Sequence, residues 1–104
     1  MSVESSLLRE AYEWIDARIG EFHRNGLSVE VHIAPGDREK QSVQWMLEST
    51  ERIGEIILWE SGEAELSFAV IQTGEVRPEH RLIDSRSSLE EALDAVLDWV
   101  SSAS

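Results

Sequence analysis

The chain contains no cysteine, which excludes disulfides, thiol catalysis and cysteine-bound zinc. Basic residues are scarce. Nine lysines and arginines face 21 acids, for a formal net charge of −12 over 104 residues. Binding nucleic acid through phosphates requires a basic face, so this balance argues against it. No apolar run approaches the roughly 20 residues of a membrane-spanning helix. The opening MSVESSLLREAYEW carries early acids and no basic stretch, so it does not read as a secretory signal. Together these absences point to the cytoplasm. GxSxG, P-loop and GxGxxG patterns are missing too. The histidines His23, His32 and His80 stand far apart, without HxH or HExxH spacing. Carboxylate pairs such as Glu60 with Glu63 are unavoidable at this acid content, and need a pocket before they mean catalysis. We therefore expect no enzyme, cofactor or metal site.

What is present is enough for one folded domain. A hydrophobic fraction of 41% argues against disorder despite the charge. A chain of this length buries roughly two thirds of its unfolded surface. The organising stretch is IGEIILWESGEAELSFAVIQT, residues 53–73, two apolar strands around Glu60-Ser61-Gly62. Gly62 and Gly74 each end a polar triplet, as the last residue of a three-residue hairpin loop commonly does. That register pairs Leu58 with Ala64, Ile56 with Leu66 and Val70 with Val76. Ile56, Leu58, Ala64, Leu66, Phe68, Val70 and Val76 then share one face. Ile57, Trp59, Glu63, Glu65, Ser67, Ala69 and Ile71 take the other. A two-residue turn at Ser61-Gly62 is the alternative; its one-residue slip would turn Trp59 inward.

In chain order, residues 2–25 read as a helix. Leu8, Ala11, Tyr12, Ile15, Ile19 and Phe22 form its apolar stripe, Ser2 or Ser5 its cap, and Asn25-Gly26 its stop. Trp14 lies off that stripe, either widening it or exposed, and Gly20 marks close packing or an early end. Residues 27–34 alternate as a half-buried strand, with Val29, Val31 and Ile33 opposite Ser28, Glu30 and His32. Pro35-Gly36 and a polar loop follow. Residues 42–48 alternate again, with Val43, Trp45 and Leu47 inward and Gln44, Met46 and Glu48 outward. Residues 75–83 form a fifth strand that Pro78, lacking a donor, places at an edge. Ser87-Ser88-Leu89-Glu90-Glu91 resembles a capping box, opening a helix striped by Leu89, Ala92, Leu93, Val96, Leu97 and Val100. The serines after Val100 are expected to fray.

The expected fold is α+β, a five-stranded antiparallel meander with an N-terminal and a C-terminal helix packed on one face. Nothing remains to cover the other face. Met46, Ile57, Trp59 and Ile71 would lie there among Glu48, Glu63 and Glu65, an aromatic and aliphatic patch rimmed by acids. Burial of Trp59 in the core, or of the whole face in a homodimer, is the competing reading.

The run Ile53-Gly54-Glu55-Ile56-Ile57-Leu58-Trp59-Glu60-Ser61-Gly62-Glu63-Ala64-Glu65-Leu66 resembles the central hairpin of the TriTu-type immunity proteins. Those small bacterial proteins share a similar order: a helix, strands with a Trp-x-Ser-Gly-x-x-x-Leu hairpin, a polar strand near a histidine, and a final helix. His80 and the helix beginning near Leu89 fall in the matching places. The resemblance covers roughly residues 43–100. It implies a cytoplasmic immunity protein that binds a toxin of a polymorphic toxin system and occludes its active site without any cofactor. In that family the toxin is an ADP-ribosyltransferase directed at elongation factor Tu. The alternatives are an acidic adaptor or secretion chaperone, and a small enzyme or ligand-binding domain that would need a concave pocket with convergent polar groups.

Overall fold

The computed structural model describes residues 4–34 and 42–101. Its elements run α1 (Glu4–Arg24), β1 (Ser28–Ala34), β2 (Ser42–Glu48), β3 (Arg52–Trp59), β4 (Glu63–Val70), β5 (Val76–Leu82) and α2 (Arg86–Ser101). The strands form one antiparallel sheet in the order β1-β2-β3-β4-β5, the expected meander. β5 is an edge strand, as Pro78 required. The cap at Ser2, the loop at residues 35–41 and the frayed end beyond Ser101 lie outside the described residues.

Both helices cover one face because their apolar stripes meet the inward residues of the strands. Leu8, Ala11, Ile15 and Phe22 of α1 join Val43, Trp45 and Leu47 of β2 in a single core. Leu89, Ala92, Leu93, Val96 and Val100 of α2 join Ile56, Leu58, Ala64, Leu66 and Phe68 in the same core. Trp45 is fully buried, with Trp14 edge-on at 5.6 Å and Phe22 at 5.8 Å between ring centres. Trp14 thus widens the α1 stripe. The Trp45 indole N–H has no partner among the described residues. That costs about 1–3 kcal/mol, less than the roughly 4–6 kcal/mol gained by burying an aromatic of this size.

The α1 stop works as anticipated. Leu27 N–H donates to Phe22 O at 2.9 Å and Gly26 N–H to His23 O at 3.0 Å, with Gly26 at φ +81°. This Schellman pattern brings Leu27 and Phe22 together in the core. Two local expectations fail here. Tyr12 is 43% exposed, at the edge of the stripe. Gly20 is exposed, ends nothing and packs against nothing, since a Cβ there would meet only Arg24 Nη1 at 3.8 Å. The α2 cap is shifted as well. Ser85 accepts from Ser88 N–H at 3.1 Å while Ser85 N–H donates to Ser88 Oγ at 3.1 Å. The reciprocal pair is therefore Ser85 with Ser88, because the helix begins at Arg86.

The β3–β4 hairpin has the three-residue loop. Leu58 pairs with Ala64 and Ile56 with Leu66, and Gly62 N–H donates to Trp59 O at 2.9 Å. Gly62 stands at φ +97°, and a Cβ there would lie 2.7 Å from Ile83 O, so the turn admits no larger residue without strain. The β4–β5 hairpin differs. Val70 N–H donates to Glu75 O and Gly74 N–H to Val70 O, which makes the loop the four residues 71–74. Ala69, not Val70, faces Val76. One extra loop residue turns all of β5 over: Val76, Pro78, His80 and Leu82 join the helix-free face, and Val76 is 61% exposed.

Candidate partner-binding face

The register places four rows of side chains across the helix-free face. Trp59 stands between Ser42 and Glu63, and Ile57 between Gln44 and Glu65. Met46 stands between Glu30 and Glu55, and Ile53 between Glu48 and Ala69. Alternation along β3 and diagonal neighbours across β2 join Ile53, Met46, Ile57 and Trp59 into one apolar ridge. Each is half-buried, and none belongs to the core. The outward strand positions carry Glu30, Glu48, Glu55, Glu63 and Glu65, and neither lysine nor arginine.

Neighbouring polar groups hold several of these carboxylates. Gln44 Nε2 donates to Glu55 Oε2. His80 Nδ1 lies 2.8 Å from Glu65 Oε2, and His32 Nε2 lies 3.4 Å from Glu30 Oε1. Both histidine pairs are about half exposed or more, so water screens them and they orient the carboxylates more than they stabilise the fold. His32 and His80 sit on opposite edge strands and His23 in the last turn of α1, so the topology keeps the three apart.

Of the expected site residues, Met46, Glu48, Ile57, Trp59, Glu63 and Glu65 all lie on this face. Ile71 lies just past the end of β4, as the first loop residue and 42% exposed, but its N–H donates to Glu51 O at 2.9 Å, so it continues the pairing with the β3 side in step with Ala69. Ile53, Glu30 and Glu55 belong to the face and were missed, although two- and four-residue spacing from Ile57 marks the two on β3. Leu82 was missed as well; it is 70% exposed beside Glu63. An apolar ridge among carboxylates suits a protein surface carrying bases around an apolar centre.

The sequence profile of a family described as "Immunity protein TriTu" matches residues 9–99, which take in all five strands and most of both helices. Comparison with curated proteins and with solved structures gives no match.

Proposed function

The chain belongs to the TriTu immunity protein family, and we propose that it binds a cognate antibacterial toxin through the helix-free face of its sheet. The observation that supports this reading is the ridge of Ile53, Met46, Ile57 and Trp59 set among glutamates, with no arginine or lysine at the outward positions of the described strands. In this reading the toxin is an ADP-ribosyltransferase that acts on a target in the bacterial cytoplasm. The immunity protein covers its active site, so that neither NAD nor the target enters. Trp59 anchors the contact, with Met46 and Ile57 beside it. Glu48, Glu63 and Glu65 meet bases on the toxin rim.

The test is co-expression with the toxin domain encoded immediately upstream. The wild-type chain restores growth, and purified chain abolishes transfer of ADP-ribose from labelled NAD. A protein that binds the toxin yet leaves transfer intact would remove active-site occlusion. Failure of any neighbouring toxin domain to bind would favour the adaptor or chaperone reading.

A further inference from the structure

The two borders of the sheet, β1 and β5, are built differently. On β5, Val70 N–H donates to Glu75 O, so by alternation Pro78 faces outward and removes a donor from the middle of that edge. β1 carries no proline, lysine or bulge, the devices that commonly blunt an edge, and its register against β2 is unbroken from Ser28 to Ala34. Ser49 N–H donates to Arg52 O at 2.9 Å, so odd-numbered positions of β2 bond to β3 and even-numbered ones to β1. Their β1 partners are Ser28, Glu30, His32 and Ala34. Val29, Val31 and Ile33 therefore point their N–H and C=O groups away from β2. Among the described residues, β1 has no second neighbouring strand to meet them.

An unblunted edge is a template for another strand, and this one is complementary to itself. Set antiparallel against a second copy, about a two-fold axis through Val31, its free positions face each other. Val31 meets Val31 of the second copy, and Val29 meets Ile33 of the second copy. Each such pair exchanges two main-chain hydrogen bonds. Between them, in the closer non-bonded positions, Glu30 meets His32 of the second copy, and symmetry makes that pair twice. Glu30 and His32 are exposed and lie 3.4 Å apart within one chain, so the second copy adds a partner to each. Sliding the pairing by two residues keeps the bonding pattern but sets Glu30 against Glu30, or His32 against His32. Either slide gives up both acid–base pairs, and the first opposes like charges directly. Charge therefore selects the register centred on Val31.

We propose that β1 is a self-association edge, through which two copies of this chain pair antiparallel and join their sheets into one. Val29 and Val31 are half-buried at the border of the core, and the same residues of the second copy extend that apolar row. Paired residues share a side of the sheet, so the helices of both copies lie on one side and both glutamate faces on the other. The surface around Trp59 stays open and is presented twice. Repulsion between two chains of net charge −12 opposes the contact, and salt near 0.15 M limits its range to about 8 Å. This inference does not depend on what binds around Trp59.

The test is sedimentation velocity of the full chain from about 50 μM to about 1 mM at about 0.15 M salt, with amide hydrogen exchange followed by NMR across the same series. A monomer–dimer equilibrium should appear, and the Val31 N–H, which faces away from β2, should gain protection as concentration rises. Val31→Pro removes that donor without touching a β1–β2 bond, and should weaken the dimer at least about tenfold. His32→Glu should weaken it at least about fivefold. Adding Glu30→His to that variant should restore the dimer, because each acid again meets a histidine across the two-fold. A monomer at every concentration would overturn the proposal. So would a dimer that survives Val31→Pro, a dimer that Trp59→Ala abolishes, or a loss in His32→Glu that the second substitution does not repair. The exposed pair, Glu30 and His32, decides the question even where Val31→Pro alters the fold.

Discussion

Replacing Gly54 by alanine sets two effects of opposite sign against each other. Gly54 lies in β3 beneath α2, with its pairing partner Phe68 beside it. A Cβ there would stand 2.8 Å from Val96 Cγ1, 2.9 Å from Val100 Cγ2 and 3.2 Å from Val96 O. Alanine restricts the unfolded chain, which favours folding by about 0.4–1 kcal/mol. Overpacking opposes it by about 1–3 kcal/mol. Rotating the two valines relieves the first two contacts but not the third, which is to backbone. α2 must then lift, and α2 supplies Leu89, Leu93, Val96 and Val100 to the core. Overpacking should win, leaving a net loss of about 1–2 kcal/mol. For a domain of this size that lowers the melting temperature by about 4–16 °C. Urea unfolding followed by far-ultraviolet circular dichroism should show a lower midpoint at unchanged slope. Val96→Ala removes the 2.8 Å contact but leaves Val96 O and Val100 Cγ2 in place, so the double variant should lose about the sum of the singles, to within roughly 0.5 kcal/mol. A Gly54→Ala protein as stable as wild type would refute the close approach of α2. Rescue well beyond that margin by Val96→Ala would show the side chain, not the backbone, to be the cause.

Other outcomes follow from the same geometry. Phe68→Ala empties a buried site facing Trp99 and should cost about 3–5 kcal/mol in denaturant unfolding; a loss below about 1 kcal/mol would contradict its place in the core. Trp59→Ala should weaken the toxin complex at least about thirtyfold by calorimetry, with a melting temperature within a few degrees of wild type. Unfolding of that variant, or unchanged affinity, would remove Trp59 as the anchor. Stopped-flow association with the toxin should slow as salt rises while dissociation responds less, since screening removes steering before it removes contact. A flat association rate would show that the glutamates of this face do not steer.

The parts of the fold legible in the sequence are those where burial selects one answer. β2, β3 and β4 lie under the helices, so alternation alone assigns Val43, Trp45, Leu47, Ile56, Leu58, Ala64 and Leu66 to the core. β5 has no such constraint. α2 leaves its helix side partly open, so Arg77 is exposed and Glu79 and Arg81 are half-buried there, and no hydrophobic pattern fixes the register. The loop could not decide either. Gly74 at φ +77° serves the end of a four-residue loop as well as a three-residue one. The α2 cap was misplaced for a related reason: Ser85, Ser87 and Ser88 are interchangeable in composition, and only the hydrogen bonds single out Ser85 with Ser88.

That one-residue slip alters the functional reading more than the fold. With Val70 opposite Val76, Arg77 and Arg81 would have stood on the helix-free face, Arg81 opposite Glu65 and Arg77 opposite Ala69. A guanidinium directly across from Glu65 would offset part of the field of that face, and a basic partner would be drawn there more weakly. The observed register carries both arginines through to the other side. It leaves Leu82 beside Glu63 and His80 beside Glu65. The face around Trp59 is therefore more apolar and more uniformly acidic than alternation from the expected register allows. The same register sets Arg77 over Phe68 and Trp99, where its stem covers the exposed border of the core and its charge faces out. An acidic face and an arginine-bearing border back to back are thus consequences of a single loop length. Deleting Thr73 should shorten that loop, return β5 to the three-residue register and exchange its two faces, bringing Arg81 opposite Glu65. Toxin binding at Trp59 should then weaken, although none of its contacts lies in the loop. A shortened loop that left toxin affinity unchanged would show the binding face to be independent of β5.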